Sequence, residues 1–142
     1  MILTAAERSC LASTYEKIAS HAEQYGSELF QRMFLGFPQT RTYFAHVDTS
    51  ANSPQLSAHG AKIIASLGKA IKNVDNMSAA LSDLSDLHAQ SIRVDPSNFK
   101  YISHCLLVLL AAHLQADFTS QVQISWDKLL AAVATVLTEK YR

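Results

Sequence analysis

The sequence predicts an all-α chain. Apolar residues recur at three- and four-residue spacing along most of the 142 positions, and no window keeps the alternation of a strand for long. Only four glycines and three prolines occur, and the prolines fall where periodic runs begin. Thr4-Ala-Ala-Glu7 matches a capping box and starts a first helix. A second run covers about 21–36, with Leu29, Phe30, Met33 and Phe34 facing inward. Pro38 opens a short turn-like helix, and 43–52 reads as a loop through Asp48-Thr49-Ser50-Ala51-Asn52. Ser53-Pro54 supplies a cap and a first helical residue for a helix to about Val74. Asp75-Asn76 breaks it, and a shorter helix runs to about Gln90. Asp95-Pro96 launches a long helix to about His113, and after an interruption at 117–120 the last helix reaches about Glu139. Seven or eight helices result, with neither repeat nor linker.

Bulk properties narrow the function classes. A chain of this length fits one domain, 1–142, able to bury roughly two-thirds of its unfolded surface. Lys plus Arg and Asp plus Glu both total 12, so no net charge draws it to nucleic acid or an anionic membrane. Residues 105–112 are too short an apolar run for a membrane span, and the N-terminus lacks the pattern of a secretory signal. Two cysteines, Cys10 and Cys105, make no disulfide framework, and a reducing cytoplasm is the expected compartment. Zero net charge also favours association with other chains.

Six histidines are the candidates for chemistry, and two stand out. Around His59, Leu56 lies three residues before and Ile63, Leu67 and Ala70 lie four, eight and eleven after, one apolar stripe. Leu81 and Leu84 precede His88 by seven and four residues. Spacing alone leaves each open to two readings, a hydrogen-bonded core residue or a ligand. Neither has His, Cys, Asp or Glu three or four residues later, so a zinc site of three or four protein ligands does not fit. Cys105 sits in an apolar run and reads as inert packing. Asp83 and Asp86 read as a solvated face, and no glycine-rich phosphate loop occurs. A porphyrin fits what remains, because it brings four equatorial nitrogens and needs one axial imidazole. Phe44, Phe99, Met33, Val94, Ile102 and Leu137 could wall such a guest; each taken alone reads equally as core.

The segments Phe37-Pro-Gln-Thr-Arg-Thr-Tyr-Phe44, Ala58-His-Gly60, Leu84-Ser-Asp-Leu-His88, Ile92-Arg-Val-Asp-Pro96, Asn98-Phe99, Ser103-His-Cys-Leu-Leu-Val108 and Lys140-Tyr-Arg142 together resemble a vertebrate haemoglobin α-type subunit of the globin family over the full length. Pro38-Gln39-Thr40 and Trp126-Asp127-Lys128 resemble embryonic or larval types more than the adult one. The resemblance implies a globin fold around haem b and dioxygen transport rather than enzymatic turnover. By it His88 would be the proximal iron ligand, with the Leu84 carbonyl accepting its Nδ1 proton. His59 would be the distal residue that donates to dioxygen, with Ile63 beside it. Met33, Tyr43, Phe44, His46, Lys62, Leu67, Leu84, Leu87, Ile92, Val94, Asn98, Phe99, Ile102, Val133 and Leu137 would complete the pocket.

Family members assemble as two α-type and two β-type chains in the red-cell cytoplasm. The stable contact would use Arg32, Phe37, His104, Val108, Phe118, Gln123 and Asp127; the sliding one Gln39, Arg41, Thr42, Tyr43, Arg93, Asp95, Asn98, Tyr141 and Arg142. Nucleic acid and membrane are not among the expected partners; dioxygen and carbon monoxide are. Several residues depart from the family pattern: Gln39 stands for a smaller hydroxyl residue, Arg41 for lysine, Ala45 for proline, Tyr15 for tryptophan and Val47 for a haem-edge phenylalanine. Ile2 after Met1 suggests a retained initiator methionine that displaces the usual α-amino group. Three rival readings are a haem enzyme acting on nitric oxide or peroxide, a sensor in which His59 also ligates iron, and a cofactor-free helical interaction module.

Overall fold

The computed structural model describes residues 3–51, 53–92 and 95–140, without the side chains of 90–92. Met1, Ile2, Arg93, Val94, Tyr141 and Arg142, and the side chain of Ile92, therefore lie outside the described residues. Seven α-helices, with 3-10 and π-helical turns between them, make up the fold, and no strand occurs among the described residues.

Helix α1 (Ala5–Ala19) begins at the capping box: Thr4 Oγ1 accepts the Glu7 N–H at 3.1 Å, and Glu7 Oε1 accepts the Thr4 N–H at 2.8 Å. Helix α2 (Ala22–Gly36) buries Leu29, Phe30, Met33 and Phe34 as its spacing requires. Pro38 then starts a 3-10 segment, Pro38–Phe44. Ser53 caps α3 (Pro54–Lys72), its hydroxyl accepting the Leu56 N–H at 3.4 Å. A 3-10 turn, Val74–Asn76, follows.

The single helix expected up to Gln90 is instead broken into α4 (Met77–Ala80), α5 (Ser82–Asp86) and a π-helical turn, Leu87–Ile92. The bend sits at Leu81, whose backbone leaves helical values (φ −104, ψ 16) while its side chain sinks into the core. Ser82, Asp83, Ser85 and Asp86 hold a helix weakly, because short polar side chains compete for backbone hydrogen bonds. Tertiary anchoring of Met77 and Leu81 therefore decides the path.

Helix α6 (Ser97–Leu114) starts one residue later than the Asp95-Pro96 signal suggests, with Pro96 at its N-cap position. Asp95 Oδ1 accepts from the Ser97 N–H and the Ser97 hydroxyl, each at 3.0 Å. It ends at Gln115, the one non-glycine residue with positive φ (51°) among those described. A 3-10 turn, Gln115–Asp117, leads to α7 (Ser120–Thr138), where Thr119 Oγ1 accepts the Val122 N–H at 3.3 Å. The expectation that no stretch suits a membrane span needs correction. Ser97–Asp117 meets that length and composition. It is apolar because it packs between α2 and α7 on one side and keeps Val108 exposed on another.

The closest crossing joins α2 and α3. A Cβ built on Gly26 or on Gly60 would overlap the other's backbone, so the helices touch main chain to main chain there. Helix α1 packs on α7, where buried Trp126 donates its indole N–H to Thr14 Oγ1 at 2.8 Å. Tyr15 fills the space over Gly68 and donates its hydroxyl to the Ile64 carbonyl at 2.9 Å, so the smaller ring at this position is fully used. Replacing Gly26 with alanine should lower the unfolding free energy by about 1–3 kcal/mol through overpacking. Urea unfolding with an unmoved midpoint would show that the two backbones can part at no cost.

Candidate functional site

Helix α3 brings His59 to one side of the site, and the π-helical turn brings His88 to the other. The stripe read from the sequence divides in two. Leu56, Gly60, Ile64, Leu67 and Ala70 are buried, whereas Ile63 is half-buried and His59 is exposed. The backbone contact at Gly60 points the line through 56, 60 and 64 at the core, so 59 and 63 fall one residue round the helix. Against His59 stand Phe30, 5.5 Å between ring centres, and Phe44, edge-on at 5.7 Å. Desolvation by these neighbours pushes the His59 imidazole below its ordinary pKa, and Lys62, His88 and His46 push it further in that order. The neutral form of His59 is thus favoured.

His88 behaves as its spacing predicts. Its Nδ1 lies 2.8 Å from the Leu84 carbonyl, and its ring packs against Phe99 at 5.5 Å. A carbonyl only accepts, so in the neutral ring Nδ1 carries the proton and Nε2 keeps its lone pair. Most of the other residues expected to line the pocket are apolar. Met33, Leu67, Phe99 and Leu137 are buried, while Tyr43, Phe44, Ile63, Leu84, Ile102 and Val133 are half-buried. Leu87 is 44% exposed. His46 and Lys62 are exposed at the rim. Asn98 Nδ2 and the Asp95 N–H both donate to the Tyr43 hydroxyl at 3.2 Å, tying the 3-10 segment to the start of α6. That tie had no signal in the sequence, because its partners lie more than 50 positions apart.

The donor set fits a haem. No group of three His, Cys, Asp or Glu able to hold a metal occurs among the described residues, so a metal here must bring most of its own ligands. One imidazole oriented by a backbone carbonyl, aromatic neighbours and a second imidazole on a separate helix suit an iron porphyrin. Two surface grooves of about 450 and 440 Å³ lie elsewhere, lined mainly by polar side chains and by no histidine.

The expected contact residues lie largely at the surface. Gln39, Arg41, Thr42, Asp95, His104, Val108, Gln123 and Asp127 are exposed, and Arg32, Phe37, Tyr43, Asn98 and Phe118 are half-buried. Arg32 pairs with Glu28, which also meets His113. Phe37 stacks on Tyr101 at 4.3 Å. Two exposed apolar residues were missed: Leu35, 85% exposed, follows Arg32 by three positions, and Ile124, 52% exposed, precedes Asp127 by three. Their signal was an apolar residue set on an otherwise polar face. Arg41 turns inward onto its own chain, over the Phe34 ring at 5.1 Å and to Thr49 Oγ1 at 3.3 Å.

The globin family profile matches residues 27–137. Hemoglobin subunit zeta of Equus caballus is 54% identical over 142 residues, the whole of both chains. Hemoglobin subunit zeta of Homo sapiens is 52% identical over 142 residues, again the whole of both, and hemoglobin subunit alpha-D of Meleagris gallopavo is 52% identical over 141, covering 99% of this chain and 100% of its own. The chain belongs to the globin family. Nitrogen NMR of the isolated chain at neutral pH should find the uncharged His88 ring protonated at Nδ1; a dominant Nε2–H form would contradict the Leu84 hydrogen bond.

Proposed function

We propose that this chain, acting as one globin domain, is the α-type subunit of a haemoglobin and carries dioxygen reversibly on haem b. The observation that carries the reading is the unlike pair of imidazoles: His88 tied to a backbone carbonyl, His59 neutral and untied among aromatic rings. When bound, haem b supplies the ferrous centre at which dioxygen attaches and leaves. His88 would hold the iron through Nε2, with the Leu84 carbonyl orienting its ring and raising its basicity. His59 is the distal donor; held neutral, it keeps one ring N–H for dioxygen and brings no extra cation into the pocket. A hydrogen bond to a charged or strongly polarised acceptor is worth about 1.5–3 kcal/mol, or one to two decades of affinity. Phe44, Phe99, Ile63, Leu67 and Leu137 exclude water, which protects the ferrous state.

The similar chains are named as haemoglobin subunits, which favours a carrier over a haem enzyme. As a haemoglobin chain it assembles with other globin chains; the proposed partners are two β-type chains and a second α-type copy. Leu35, Val108 and Ile124 give the stable contact its apolar centre beside Arg32, Phe37, His104, Phe118, Gln123 and Asp127. For the sliding contact, Arg41 must leave Phe34 and Thr49 before it can meet a partner's carboxylate, which weakens that bond relative to an unheld cation. The red-cell cytoplasm is the proposed compartment.

His88→Ala should abolish stoichiometric haem uptake, followed as the sharp band near the visible–ultraviolet boundary; uptake equal to the parent's would assign the proximal role elsewhere. His59→Leu should keep haem, bind dioxygen about 10- to 100-fold more weakly and oxidise faster in air. Unchanged affinity and oxidation would remove the distal assignment, and a low-spin ferrous spectrum of the unliganded parent would favour the sensor.

A further inference from the structure

The segment that orients His88 has little apolar anchorage of its own. Within α5, Ser85 alone is buried, and its hydroxyl donates to the Val136 carbonyl of α7 at 3.0 Å. Leu84 is half-buried against the core, and a further restraint comes from one side chain just past α7. Lys140 Nζ lies 3.3 Å from the Ser82 carbonyl, 3.0 Å from Ser82 Oγ and 2.9 Å from Asp86 Oδ1. An ammonium has three donors, and three acceptors at the first and last residues of α5 take them. Next to it, the Ser78 hydroxyl donates to Glu139 Oε2 at 3.2 Å, fastening α4 to the same end. Leu84 sits between the two gripped residues, and its carbonyl holds His88 Nδ1.

We propose that Lys140 is a positioning residue for His88: it clamps both ends of α5 so that the Leu84 carbonyl fixes the rotation of the imidazole. The inference rests on the reading of His88 as the haem ligand. A five-residue helix cannot hold its own shape in water, because helix nucleation is unfavourable. Its form here is imposed from α7, and the clamp adds directional bonds where packing is thin. Since the Lys140 and Asp86 side chains are 33% and 47% exposed, the effect is modest and sensitive to salt.

The test uses the full chain, loaded with haem b, as parent, Lys140→Met and Lys140→Arg; methionine keeps the apolar stem and loses the donors. In Lys140→Met the iron–histidine stretching band of the deoxygenated ferrous chain should shift or broaden. Haem transfer to an excess of a haem-free acceptor protein should run about five-fold faster, equivalent to about 1 kcal/mol. Arginine should restore both. Amide exchange over 82–88 in the haem-free full chain should quicken in Lys140→Met, with α1 and α6 unaltered. A parental band, parental transfer rate and parental exchange in Lys140→Met would overturn the proposal, as would a change that arginine fails to reverse. Failure of the parent to take up haem would instead overturn the functional reading, and the exchange comparison would still judge the clamp.

Discussion

Helices α2 and α3 meet at Gly26 and Gly60 with no side chain between them, and the rest of the site is referenced to that contact. Because the two backbones touch, the rotation of α3 about its axis is fixed. Leu56, Ile64 and Leu67 go into the core, while Ile63 is half-buried and His59 goes to the flank beside Phe30 and Phe44. A side chain at either glycine would push the helices apart and carry His59 away from the rings that desolvate it. The His59 side thus stands on closely packed elements.

The opposite side is built differently. His88 lies after two very short helices, on a turn whose neighbours are serines and aspartates. Its ring packs on Phe99 and is oriented by directional bonds, first from the Leu84 carbonyl and then from α7. One imidazole sits beside aromatic rings on a closely packed helix, and the other combines a ring contact with a backbone hydrogen bond.

Local features were legible in the sequence because their causes are local. The Thr4–Glu7 box, the Ser53-Pro54 start and the four-residue step from Leu84 to His88 involve partners within one helical turn. The interruption at Leu81 was not legible, because weak helix formers follow whichever path anchors their apolar neighbours. Nor was the rotation of α3 by one residue, since an apolar stripe fixes a helix face only to within its width. The Trp126–Thr14 bond, the Tyr43 tie to α6 and the Lys140 clamp join positions far apart in the chain, where no spacing rule reaches. The exposed Leu35 and Ile124 were visible as residues but gained meaning only once the surface was known.

A crystal structure of the chain loaded with haem b and carbon monoxide tests the account most directly. Iron should be bound by His88 Nε2 on one face, with the Leu84 carbonyl still on Nδ1 and the His59 ring facing the gas without touching the metal. Iron held by His46 or by both imidazoles, or a macrocycle seated away from Phe44 and Phe99, would contradict it.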